Sequence, residues 1–234
     1  MNALSLFPQA ANIQRRELLA ALAIISGVTL TTLHRQACGV DSLPAVGMLL
    51  SETARVWTYF FCTLVIFGAI PAMLIRHVWK APLSDFGVAL GDWKFGLSAT
   101  GILLPLIAVA LLLPAARMED MRSFYPVDKA AADSAARFLP YAVGRVLLFY
   151  VAWEFFFRGF LLFSLRASVG DITAICIQTI PSALWHIAYP TGELYASIAA
   201  GLLFGWLAIR TRSILWPLLL HAGIGVITDL SISL

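Results

Sequence analysis

The sequence predicts an all-α, polytopic transmembrane helical bundle of about seven to eight spans plus an interfacial helix. Three observations predict it. Of 234 residues, 60% are hydrophobic and 12% charged, against roughly 45–50% and 25% in an ordinary soluble domain. The apolar residues gather into runs near the length of about 20 residues that crosses roughly 30 Å of hydrocarbon. Short polar segments separate the runs and carry most of the Lys and Arg. A net charge of +3, spread over segment ends, offers no basic stripe for nucleic acid, so the bilayer is the partner that composition implies.

Residues 1–16 form a short polar or amphipathic lead, and 17–137 an N-terminal set of transmembrane helices. The first run, 18–33, follows Arg15 and Arg16 as a signal peptide would. No small-x-small cleavage site precedes His34 and Arg35, and further spans follow, so it reads as an uncleaved helix. A loop with Asp41, Pro44 and Glu52 leads to a second span, 56–75, closed by Arg76, His77 and Lys80. Residues 81–94 are half polar and too short to cross. They read as an interfacial helix with Trp93 at headgroup level, or as a solvated connector. The third span is 95–115. Residues 117–137 hold the densest charge and form an aqueous loop long enough for a lid or a substrate-receiving surface.

Residues 138–234 hold the remaining spans, 138–165, 172–189, 194–209 and 215 onward. The fourth exceeds one crossing, so it tilts or projects. Pro190-Thr191-Gly192-Glu193 is turn chemistry, and Gly201 and Gly205 suit close helix packing. With the N-terminus inside, eight Lys and Arg fall in inner segments against six outside, which favours N-in, C-out. Cys38, Cys62 and Cys176 show neither disulfide nor metal spacing and read as small apolar fillers.

Inside the apolar runs the polar inventory is Arg145, Glu154, Arg158, Gln178, His186, His221 and Asp229, all from the fourth, fifth and seventh spans. Charges at that depth are costly and mark sites. Glu154 and Arg158, four apart, share a helix face. They read as an ion pair that locks helices together, or as a general base with its orienting cation. His186 and His221 read as core histidines, or as groups that polarise a carbonyl, donate to an oxyanion or bind a metal. With Glu154 they offer a His-His-Glu set for zinc, but no HExxH is present. No bound metal or other cofactor is expected, zinc being the alternative. Asp229, eight residues past His221 on the same face, reads as a solvated acid near the outer surface. Trp153 and Trp185, beside Glu154 and His186, read as packing or interface anchors, or as groups that dry the site.

Three ordered motifs, Glu154-Phe155-Phe156-Phe157-Arg158-Gly159, Ala183-Leu184-Trp185-His186 and His221-Ala222-Gly223-Ile224-Gly225, resemble those of the CPBP intramembrane proteases. That family includes the CAAX prenyl endopeptidases and abortive-infection-like proteins. The resemblance covers 138–233 and implies a membrane endopeptidase with glutamate-activated water and two histidines, in a cavity open to the cytoplasmic side or the bilayer. In that pattern the first motif usually reads Glu-Glu-x-x-x-Arg, with the first Glu catalytic; here Trp153 takes its place. Ser182 stands for a usual Phe, and Gly225 for a usual Asn or Asp. On the resemblance, Glu154 is the base, Arg158 positions it, His186 and His221 stabilise the oxyanion, and Asp229 or Thr228 compensates for Gly225. A single Glu is similar to the myxosortase-like branch, which cleaves C-terminal sorting signals. The implied partner is a membrane-anchored protein or peptide: a lipidated tail, a leader peptide or a sorting helix. The implied location is a bacterial cytoplasmic (inner) membrane, as a multi-pass integral protein. A catalytically inactive CPBP-like scaffold or immunity protein is the alternative, favoured by Trp153 and Gly225. A transporter fits the buried charges but not the lack of a repeat between halves.

Overall fold

The computed structural model describes residues 8–38 and 50–234, with the side chains of 8–14 left out, and no strand occurs among the described residues. The Asp41–Pro44 loop and residues 1–7 of the N-terminal lead lie outside them. The helices are α1 (Pro8–Cys38), α2 (Glu52–Trp79), α3 (Trp93–Ala115), α4 (Glu119–Phe124), α5 (Ala135–Val169), α6 (Asp171–Trp185), α7 (Thr191–Thr211) and α8 (Leu215–Ser233). Among the described residues, six are long and apolar enough to cross a membrane, all but α4 and α6. Large apolar side chains cover the outer surface, Ile102 and Val109 each 66% exposed, as a lipid-facing surface requires. The protein is an integral, multi-pass membrane protein.

Local sequence sets the ends. Ser51 caps α2 by accepting from the Ala54 N–H at 3.2 Å, and Asp92 caps α3 by accepting from Phe95 at 3.2 Å. The expected span over 172–189 is shorter. Helix α6 holds 15 residues, roughly 22 Å, and passes into a 3-10 turn, His186–Ala188. Tyr189 precedes Pro190 and is extended, the conformation a following proline imposes, so the helix stops there. Residues 81–94 form one 3-10 turn, Leu83–Phe86, rather than a full interfacial helix. Pro82 starts it and Gly87, at φ 81°, ends it. The rest runs beneath the α7–α8 turn, where Ile214 N–H donates to the Gly87 carbonyl at 2.9 Å and Trp216 Nε1 to the Leu90 carbonyl at 3.0 Å.

Helix α5 is the axis. Its 35 residues reach roughly 52 Å, longer than one crossing, and most of its surface is buried. Two wide π-helical stretches, Arg145–Tyr150 and Phe155–Leu161, flank the turn that bears Glu154. Such stretches are frequent at functional sites. An aromatic wall from α2 packs on this region, with Phe67 stacked on Phe156 at 4.3 Å between ring centres. Helices α6 and α7 meet closely because Gly201 and Gly205 lack side chains. A Cβ at Gly201 would press on Thr179, and Gln178 Nε2 donates to the Gly201 carbonyl at 2.9 Å.

Candidate active site

Helices α7 and α8 converge on the middle of α5. Glu154 has no solvent exposure. Its Oε1 lies 3.2 Å from Arg158 Nη1, one turn along the same helix, and 2.6 Å from His221 Nδ1 on α8. Its Oε2 is buried without a hydrogen-bond partner among the described residues. An anion in this position needs close partners, because burial of an unpaired charge costs several kcal/mol. The Arg158 guanidinium is 2% exposed and lies 5.3 Å from the Phe204 ring, a second, π-type support. His221 packs edge-on against Tyr150 at 4.7 Å, and 20% of its side chain is exposed. The imidazole, not the carboxylate, is the accessible end of this cluster.

His186 stands apart from that cluster. Its Nδ1 lies 2.8 Å from the Ser182 carbonyl, its Nε2 lies 3.8 Å from Glu193 Oε1, and its ring stands edge-on to Trp153 at 5.9 Å. Trp153 is 1% exposed and packs on Phe157 and Trp185. Trp185 is buried too, with its carbonyl accepting from Arg35 at 3.2 Å. Both tryptophans are packing residues that wall the site.

Asp229 differs from its expectation. It is buried, not solvated, and forms an ion pair with Arg145, with the Tyr141 hydroxyl 3.2 Å from the same oxygen. The reason is Arg145, a cation of α5 that has no bulk water and takes its countercharge from the facing helix. Tyr125 and Tyr150 stack on the Arg145 guanidinium at 5.4 and 5.2 Å. Thr228 is satisfied within α8, donating to the Ile224 carbonyl at 2.9 Å. The space a side chain at Gly225 would need is filled by the Tyr150 hydroxyl. A phenol from α5 therefore stands where the motif's usual amide or acid would project.

Two further residues escaped sequence reasoning. Glu193, read as part of a turn, lies in the first turn of α7 with both carboxyl oxygens 2.7 Å from the Tyr125 hydroxyl. Tyr125 comes from the 117–137 loop, which is pinned to the bundle. The Thr53 hydroxyl donates to Asp128 at 3.0 Å, and Lys129 Nζ to the Tyr125 carbonyl at 3.0 Å. Burial pushes the Tyr125 phenol well above its usual range, so it keeps its proton and donates to Glu193. Glu193 lies seven residues past His186, a separation that says nothing once Pro190 breaks the helix between them. Among the described residues, no three His, Cys, Asp or Glu side chains converge closely enough to hold a metal ion.

Residues 135–227 match the family model for type II CAAX prenyl endopeptidases, Rce1-like. The Rce1-like stretch runs from the start of α5 into α8 and contains all three motifs, in agreement with the resemblance they carry. It covers less than half of the chain. No curated protein and no solved structure matches. The Rce1-like family is one of proteases that act on membrane-associated protein substrates, so the similarity points to a peptidase.

Proposed function

We propose that this chain is an intramembrane endopeptidase that cleaves a membrane-tethered protein or peptide near a terminus, using water activated by Glu154. One observation carries the reading: His221 and Arg158 hold Glu154 Oε1, while Oε2 is buried without a hydrogen-bond partner among the described residues. A carboxylate held that way can take a proton from a water directed at a carbonyl carbon. Arg158 and the His221 Nδ1 side keep the carboxylate oriented. With a proton also on Nε2, His186, whose Nδ1 faces the Ser182 carbonyl, can donate to the carbonyl oxygen as it becomes an oxyanion, and a doubly protonated His221, whose Nδ1 faces Glu154, can do the same from α8. The chemistry needs no metal or cofactor.

The similarity to prenyl endopeptidases makes a lipidated C-terminal tail the leading substrate class, with leader peptides and sorting helices as the others. A bacterial inner membrane is the proposed location. The test uses protein in lipid nanodiscs and a quenched-fluorescent, farnesylated CAAX peptide. Glu154→Gln is expected to stay folded and lose cleavage; cleavage at the wild-type rate refutes the assignment. A second reading, an inactive scaffold, is favoured by Trp153, whose ring fills the place of the family's usual first Glu. On that reading Glu154→Gln and His186→Ala leave the cellular phenotype intact, while changes in 117–137 abolish it.

A further inference from the structure

Opposite His186 stands a carboxyl that the reaction above does not use. Glu193 Oε1 lies 3.8 Å from His186 Nε2, and the Tyr125 hydroxyl holds both Glu193 oxygens at 2.7 Å. The tautomer of His186 decides what this contact means. Its Nδ1 faces the Ser182 carbonyl oxygen at 2.8 Å, and a carbonyl only accepts, so Nδ1 carries a proton. In a neutral ring Nε2 is then a bare acceptor turned on a carboxyl oxygen. Two lone pairs 3.8 Å apart repel, whereas a proton on either group makes the contact attractive.

The two carboxyls also sit in contrasting settings. Glu154 is fully buried between a guanidinium and an imidazole, while Glu193 meets a phenol and an imidazole and is 25% exposed. Carboxyls in unlike settings can divide the work of acid and base. We infer that Glu193 and His186 hold one proton between them and that this pair is the proton donor of the site. The inference rests on the hydrolase reading, in which Glu154 is the base. The water oxygen bonds to the carbonyl carbon and its proton passes to Glu154 Oε2. The C–N bond breaks, and the departing nitrogen takes the proton held by Glu193 and His186. Water returns the proton from Glu154 to the pair, leaving a new carboxyl end and an amine. The charged and titratable groups around the pair are Tyr125 of the loop, Tyr189 of its own turn, Arg145 and Arg158 of α5, and His221 and Asp229 of α8.

The chain has four histidines, so ring-labelled histidine in nanodiscs gives a readable NMR spectrum. Across about pH 5 to 9 the His186 Nε2 signal is expected to move with pH. Glu193→Gln removes that movement and Glu154→Gln leaves it; an unchanged response in Glu193→Gln overturns the proposal. On the farnesylated probe, Glu193→Gln is expected to lower kcat about 100-fold or more with KM near wild type, and to remove the alkaline limb of the pH profile. A wild-type kcat, or loss of the acid limb instead, overturns it. If Glu193→Gln does not fold, Glu193→Asp keeps the carboxyl and should keep the alkaline limb at reduced kcat; losing the limb counts against the proposal. An inactive wild type sinks the hydrolase reading and the donor role with it, while the NMR signal still decides whether the proton is shared.

Discussion

His221 Nδ1 lies 2.6 Å from Glu154 Oε1, a contact that closes 67 residues of chain and ties α8 to the middle of α5. Its consequence is a division between a sealed anion and an accessible ring. Glu154 has no exposed surface, yet the imidazole that touches it is partly exposed. A buried carboxylate with two donors on one oxygen is both oriented and unable to relax away from its task.

Removing His221 should therefore cost fold stability as well as rate. His221→Ala leaves Glu154 with one donor in a dry setting, and losing a hydrogen bond to a buried charged group costs about 1.5–3 kcal/mol. Reversible unfolding in bicelles or by steric trapping measures it. A variant as stable as wild type contradicts the pairing.

Arg145 and Asp229 form the second buried pair, 6% and 1% exposed. Asp229→Asn should destabilise by about 3–5 kcal/mol, because Arg145 loses its countercharge. Replacing both, as Arg145→Met with Asp229→Leu, should recover most of that loss. The same unfolding assay decides it: a double variant no better than the single one would show that the pair contributes more than mutual neutralisation.

Gly225 and Tyr150 compete for one volume. Gly225→Asn, which restores the residue type usual in the resembled motif, should overpack the α5–α8 contact and cost about 1–3 kcal/mol. Adding Tyr150→Ala should relieve it. If Gly225→Asn alone is as stable as wild type, the phenol does not occupy that space.

Chelation should leave cleavage of the farnesylated probe unchanged, since the proposed base, its cation and both rings are protein groups. Loss of activity with EDTA, and its recovery with zinc alone, would contradict the metal-free account.

The apolar runs announced the helical membrane fold because their length is set by bilayer thickness, and that signal needs no tertiary context. The Glu154–Arg158 face was visible for a similar reason, since helical spacing is local. Glu193 and Tyr125 were not visible. They come from opposite sides of the 135–185 stretch and meet through a loop whose path depends on Asp128 and Lys129. Asp229 looked like a terminal acid because its partner, Arg145, lies 84 residues away. The short α6 was hidden by an apolar run that continues past the point where Pro190 ends the helix.

The most direct measurement is single-turnover cleavage of the farnesylated CAAX peptide by wild type and Glu154→Gln in identical nanodiscs, with helical content checked for both. The account predicts cleavage by wild type and a rate at least about 100-fold lower for Glu154→Gln, with peptide binding retained. Equal rates, with both proteins folded, would contradict it.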